Sequence, residues 1–183
     1  MALTPSAMVS LGTTAPDFAL PDTEGNTVRL ADFDGKPLLV VFLCNHCPYV
    51  KHIAPELARH TARYLQRGVA VVGINSNDPV RYPEDSPEQM RRERRDRDYR
   101  FPYLFDATQE VARAYQAQCT PDFFLYDAQR RLAYRGQFDD SRPGNGRPLT
   151  GADLDRAVEG VLHGQPPLPD QRPSMGCNIK WKA

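Results

Sequence analysis

Two apolar runs stand out in the first half of the chain, Leu38-Leu39-Val40-Val41-Phe42-Leu43 and Val69-Ala70-Val71-Val72-Gly73-Ile74-Asn75. Short runs of this kind predict strands covered on both faces, as in a parallel sheet flanked by helices. Between them, Val50, Ile53, Leu57, Ala58, Ala62 and Leu65 recur at helical spacing and predict a helix from about Pro48 to Gln66. Pro48 belongs near its start, Pro55 is expected to kink its interior, and Gly68 ends it. Upstream, Phe18 to Leu30 reads as two short strands around a Glu24-Gly25-Asn26 turn.

The second half alternates in the same way. A polar, proline-bearing loop over 76–87 leads into a helix predicted over 88–100, a short strand at Tyr103–Phe105 and a helix near Thr108–Gln118. Asp122–Tyr126 and Arg131–Phe138 are expected to pair as an antiparallel hairpin, followed by a last helix over Ala152–His163. This order describes an α/β fold with a central mixed sheet flanked by helices. Residues 1–163 read as one domain. Residues 164–183 read as a proline-rich tail expected to dock on it, because the tail carries Ile179 and the chain's one tryptophan, Trp181.

Composition narrows the functional classes. Lys+Arg and Asp+Glu are both 23 in 183 residues, so nothing points to nucleic acid or an anionic membrane as partner. No apolar stretch approaches the ~18 residues that a membrane span requires. Met1–Ser10 has neither a basic region nor a sustained apolar one, so no secretory leader is read there and a cytoplasmic location is expected. Four cysteines in such a setting point to redox or metal chemistry rather than a disulfide framework.

The first apolar run ends in Cys44-Asn45-His46-Cys47. A buried strand that delivers two thiols to the start of a helix suits disulfide exchange. Cys44 is expected nearer the open helix end, where the dipole lowers a thiol pKa from about 8.5 to roughly 3.5–7.5, with Cys47 inside the first turn. Cys44 is therefore read as the attacking thiolate and Cys47 as the thiol that resolves the mixed disulfide. His46, between them, is a candidate for tuning the thiolate by partial positive charge; alternatively it is a helix-start histidine with no such role. A zinc half-site is the other reading of the pair, but Cys119 and Cys177 are isolated from each other and supply no second pair. No metal and no cofactor are expected.

The N-terminal hairpin, the strand into Cys44-Asn45-His46-Cys47, the inserted α-β unit before Cys119, and Thr120-Pro121 leading into a strand together resemble the thioredoxin-like fold. Within it the chain is similar to the AhpC/TSA (peroxiredoxin-like) branch that keeps a thioredoxin-type Cys-x-x-Cys and ends in a Gly-Cys-x-Ile-Lys-Trp-Lys tail. The resemblance covers about Leu11 to His163. It implies that Pro121 is cis and that the backbone of Thr120 meets an incoming chain. It also exposes two departures. Peroxiredoxins place Thr or Ser three residues before the peroxidatic cysteine, where this chain has Val41. Thioredoxins place a buried Asp six residues before the first cysteine, where it has Leu38.

A thiol–disulfide oxidoreductase acting on a disulfide-containing protein or small thiol is the leading reading. A thiol-dependent hydroperoxide peroxidase with antioxidant activity is the second, and a redox sensor that switches tail docking is the third. Cys119 is read as a buried hydrophobe or, being near the site, as a candidate additional redox thiol. Cys177 is a candidate further redox thiol, approaching Cys119 or the active pair. Asp139 or Asp140 is a candidate proton acceptor, with a solvated turn as the alternative, and the same pair of readings holds for 75–78. The alternating charges of 91–98 read as a solvated helix face, for example Glu93 with Arg97. His52 and His60 are assigned no role.

Overall fold

The computed structural model describes residues 3–183. The first two residues of the Met1–Ser10 segment lie outside the described residues. In chain order the elements are β1 (Leu3–Pro5), β2 (Ala19–Pro21), β3 (Thr27–Arg29), β4 (Leu38–Phe42), α1 (Pro48–Gln66), β5 (Ala70–Asn75), α2 (Pro87–Asp96), β6 (Tyr103–Phe105), α3 (Glu110–Tyr115), β7 (Cys119–Thr120), β8 (Asp122–Tyr126), β9 (Leu132–Gly136), α4 (Ala152–Leu162) and β10 (Met175–Asn178).

Five strands form the central sheet in the order β6-β5-β4-β8-β9, with β4, β5 and β6 parallel and β8 and β9 antiparallel. The two apolar runs lie side by side in it, Val40 opposite Val72, and every residue of β4 and β5 is buried. Alternate residues of β4 feed opposite layers. Leu39 and Val41 face Val50, Ile53 and Leu57 of α1 and Leu154 and Val158 of α4. Leu38, Val40 and Phe42 face Phe18, Leu20, Ala112 and Tyr115. Each large apolar side chain among these contributes roughly 1.5–3 kcal/mol on burial, so the two layers are a main source of the sheet's stability. The mixed α/β, thioredoxin-like arrangement expected from the sequence is what forms.

Two helices are shorter than their periodicity suggests. The helix expected over 88–100 stops at Asp96, because Arg97 closes it and Asp98 turns left-handed (φ 54°). The helix expected over 108–118 is six residues long, bounded by left-handed Gln109 and Gln116. In both, the apolar pattern continues past the helix because Tyr99, Phe101 and Ala117 are core residues of the connecting loops. Helix α1 spans Pro48–Gln66 as expected, with Pro55 inside it and Gly68 just past its end at φ 85°.

The tail forms a strand that composition did not reveal. β10 is the middle strand of a second, three-stranded sheet, β1-β10-β7, antiparallel to both neighbours. Its register sets Cys177 opposite Leu3 on one side and Thr120 on the other. Farther on, Ile179 N–H donates to the Gln118 carbonyl (3.1 Å), Lys180 N–H to Asn77 Oδ1 (2.8 Å), and Gln109 Nε2 to the Lys180 carbonyl (2.9 Å). Arg113 stacks 4.4 Å over the Trp181 ring. Among the described residues, no helix is long and apolar enough to cross a membrane.

Candidate active site

The strand β4 ends two residues before Cys44, and α1 begins immediately after Cys47. This corrects the expected placement of the thiols. Cys47, not Cys44, is the helix N-cap, with Pro48 at the first helical position. All four cysteines are free and buried; Cys44 is 1% and Cys47 0% exposed, so neither sulfur is reachable while the tail is docked.

Three segments converge on the pair. Thr120 touches both sulfurs: its Oγ1 is 3.1 Å from Cys44 Sγ, and its carbonyl oxygen is 3.2 Å from Cys47 Sγ. The peptide bond from Thr120 to Pro121 is cis, as the resemblance implied. Cys177 of β10 brings its Sγ to 2.9 Å from Cys47 Sγ. Ser174, just before β10, donates to the Pro121 carbonyl (2.6 Å) and so ties the tail to the same turn.

Electrostatics divide the cluster. Cys47 is held well below the ordinary thiol range, first by the hydrogen bond from Cys177 and then by that from Cys44, with the backbone N–H of Val50 adding to them against the cost of burial. The Thr120 carbonyl works the other way, accepting from Cys47 when the sulfur carries a proton. Cys44 is pushed up, by burial first, then by its hydrogen bond to Cys47 and the charges of Asp85 and Cys47, with the Thr120 hydroxyl opposing. Cys177 is pushed up first by its hydrogen bond with Cys47 and then by burial. Of the three thiols, Cys47 is thus the one whose surroundings favour the thiolate, while those of Cys44 and Cys177 favour the protonated form.

Asp85 organises the turn between the cysteines, and nothing in the sequence pattern marked it. Fully buried, it accepts from the Asn45 N–H (2.7 Å), His46 Nδ1 (2.6 Å), Asn77 Nδ2 (2.9 Å) and Asn75 Nδ2 (3.2 Å). Burial alone raises a carboxylate pKa, but the bonds from His46, Asn45 and Asn77 outweigh it and keep Asp85 below its usual range. Asn45 is fixed from both ends, donating to the Glu84 carbonyl (2.8 Å) and accepting from the Tyr103 hydroxyl (3.0 Å). His46 therefore bonds to Asp85 and stacks on Tyr82 at 5.2 Å rather than hydrogen-bonding to a sulfur. What reaches Cys44 through this turn is the carboxylate charge, which favours the thiol; the thiolate-favouring histidine of the sequence reading is corrected accordingly.

Cys44, His46 and Asp85 offer ligand atoms within 4.8 Å of one another, the one such grouping among the described residues. Two of the three, His46 Nδ1 and Asp85 Oδ2, are joined to each other at 2.6 Å, so the donor set is an ion-pair geometry beside a thiol rather than three groups aimed at one point.

Other expected residues fall elsewhere. Cys119 is buried with its Sγ toward the Pro121 carbonyl (3.6 Å), and burial drives its pKa far up, as for an inert hydrophobe. Asp139 is not a proton acceptor for the thiols. Its Oδ1 accepts from the Ser141 N–H and hydroxyl (2.8 and 2.6 Å), its Oδ2 from the N–H groups of Thr150 and Gly151 (2.6 and 2.7 Å), and it caps the approach to α4. Asp140 pairs with Arg147 at 3.0 Å. The 75–78 segment is structural support, with Asn75 and Asn77 holding Asp85 and Asn77 also holding the tail. Glu93 pairs with Arg97 at 2.9 Å at the end of α2; that pair is half-buried, whereas Arg91, Arg92, Arg95 and Asp96 are exposed. His60, given no role, is buried against Asp155 (2.8 Å), and His52 Nε2 lies 3.0 Å from Ser141 Oγ.

The chain is 30% identical over 129 residues to the thiol-disulfide oxidoreductase ResA of Geobacillus thermodenitrificans, covering 70% of each chain. A crystal structure of a hypothetical protein from Sinorhizobium meliloti superposes with a TM-score of 0.96 at 54% identity, over 98% of this chain and 99% of that one. An uncharacterized conserved protein from Geobacillus kaustophilus superposes with a TM-score of 0.97 at 50% identity, over 100% and 97%. Residues 11–135 match the AhpC/TSA family model, and the chain is a member of that thioredoxin-like family.

Proposed function

We propose that the protein is a thiol–disulfide oxidoreductase whose working couple is Cys44 and Cys47. The observation that carries this reading is the placement of Thr120, whose hydroxyl and carbonyl address the two sulfurs separately at 3.1 and 3.2 Å. A structural thiol pair has no use for a hydroxyl that stabilises the thiolate of one member while the other sits at a helix N-cap. The likeness to ResA supports the same class.

The chemistry follows from the opposite shifts of the two thiols. The proton on Cys44 passes to Cys47, and the Cys44 thiolate attacks a sulfur of the substrate disulfide. A mixed disulfide forms and the first substrate thiolate leaves, taking the proton from Cys47. The Cys47 thiolate then attacks Cys44, releasing the second substrate thiolate and closing the Cys44–Cys47 disulfide. The substrate is reduced by two electrons and the protein is oxidised by two. A disulfide-bearing protein or small molecule fits this sequence, in a compartment that resupplies reductant such as the cytoplasm.

The test is disulfide reduction by the full chain with a dithiol donor. Activity is expected to be lost in Cys44→Ser, and Cys47→Ser is expected to trap a substrate adduct on Cys44. An adduct on Cys47 in Cys44→Ser, or undiminished turnover in either variant, would overturn the assignment. Hydroperoxide reduction is the less favoured reading, because Val41 stands where a hydroxyl would hold the peroxide and a carboxylate, not a cation, lies beside Cys44.

A further inference from the structure

We propose that Cys177 is a third redox thiol that takes Cys47 from Cys44, so that the oxidised protein carries a Cys47–Cys177 disulfide and a regenerated Cys44 thiol. The proposal rests on the Cys44–Cys47 couple above and adds a second exchange within the same chain.

Placement is the first argument. The Cys177 and Cys47 sulfurs are 2.9 Å apart, closer than van der Waals contact and about 0.9 Å from the ~2.05 Å of a disulfide. The approach is held from both sides, because β10 is a central strand, paired through Cys177 to Leu3 and to Thr120. The residue before it makes that possible. A Cβ on Gly176 would lie 2.0 Å from the Thr120 carbonyl oxygen, so only glycine lets β10 come this close to β7. Bonds from Ser174 to Pro121 (2.6 Å) and from Lys180 to Asn77 (2.8 Å) fix the strand just before and just after. A tail cysteine serving as packing alone would need none of this registration.

Access is the second argument. β10 already occupies the backbone edge of Thr120 that the resemblance assigns to an incoming chain. Cys177 stands there in the place of a partner's sulfur. The tail is thus an intramolecular exchange partner by position.

The step balances without any further oxidant. Once a substrate disulfide has oxidised Cys44 and Cys47, the charge on Cys47 is gone and Cys177 no longer donates to it. Cys177 loses its proton to water, and its thiolate attacks Cys47 Sγ. The Cys47–Cys177 bond forms, the Cys44–Cys47 bond breaks, and the electron pair leaves on Cys44, which takes up a proton. There is no net redox change; one disulfide has moved.

The experiment oxidises the full-length protein with a small-molecule disulfide, quenches in acid over a time course, alkylates free thiols and maps peptides by mass. Wild type is expected to show Cys44–Cys47 first and Cys47–Cys177 afterwards. Cys177→Ser should stop at Cys44–Cys47, with unchanged circular dichroism showing that it folds. If Cys44–Cys47 accumulates in wild type while Cys177 stays fully alkylated, the relay is wrong and the oxidoreductase reading stands. If Cys177→Ser forms no Cys44–Cys47 disulfide, the couple itself fails and the relay with it. If Cys47–Cys177 appears first and equally fast in Cys44→Ser, the order proposed is overturned.

Discussion

Gly176→Ala isolates the tail's contribution without touching a sulfur. Gly176 has no left-handed φ, so alanine meets no backbone strain and only space decides the outcome. The new Cβ would lie 2.0 Å from the Thr120 oxygen and 2.6 Å from its carbonyl carbon, against a practical limit of 3.0 Å. β10 must therefore retreat from β7 by about 1 Å, which stretches their ladder beyond hydrogen-bond length. Overpacking of this kind costs roughly 1–3 kcal/mol and each lost hydrogen bond roughly 0.5–1.5 kcal/mol. The tail's other anchors confine the damage to this strand, giving about 2–5 kcal/mol in all. Docking weaker by even about 2 kcal/mol raises the undocked population about thirtyfold. The assay is alkylation of Cys44 at neutral pH, read by mass, alongside urea unfolding. Alkylation should accelerate at least tenfold and the unfolding midpoint should fall. Wild-type alkylation and stability within about 0.5 kcal/mol of the parent would refute the claim that close β10–β7 approach shields the thiols.

Two substitutions should move Cys44 in opposite directions. Asp85→Asn removes a charge that raises its pKa, so the midpoint of its alkylation–pH curve should shift down, while Thr120→Val removes the stabilising hydroxyl and should shift it up; the same sign in both would contradict the assignment. Stability should also depend on alkaline pH. Cys44, Cys119 and Cys177 are raised in the folded chain, so their stabilisation is full below the unfolded thiol pKa of about 8.5 and is lost as pH rises beyond it, by up to about 1.4 kcal/mol per pH unit for each. Cys47 is lowered, so its contribution is full above about 8.5 and declines as pH falls below that value. Urea midpoints at pH 7 and 9.5 should therefore differ less in Cys177→Ser than in wild type, and an equal loss in both would argue against the raised thiol.

The parts of this molecule legible in the sequence are those with a period. β4, β5 and α1 declare themselves by hydrophobic spacing, and the Cys-x-x-Cys lies where β4 hands over to α1. Burial then hides the rest. Tyr99 and Phe101 prolong the apparent period of α2 because loop residues also pack in the core. Asp85 lies in a polar loop, and its importance comes from Asn45, His46, Asn75 and Asn77, brought together only by folding. Gly176-Cys177 is a dipeptide with no periodicity. Its meaning depends on a partner strand at Thr120, more than fifty residues away in sequence.

The buried carboxylate and the docked tail act on the same charge. Asp85 makes a thiolate at Cys44 unfavourable, and Cys177 makes one at Cys47 favourable, so with the tail in place both influences favour a thiolate at Cys47 over one at Cys44. Withdrawing β10 removes the largest influence that lowers Cys47 and uncovers the Thr120 edge in one movement. The proton shared between Cys44 and Cys47 is then freer to leave Cys44, the sulfur that the Thr120 hydroxyl is placed to stabilise. On the proposed mechanism, access to Cys44 and its ionisation would therefore both turn on the same strand, β10.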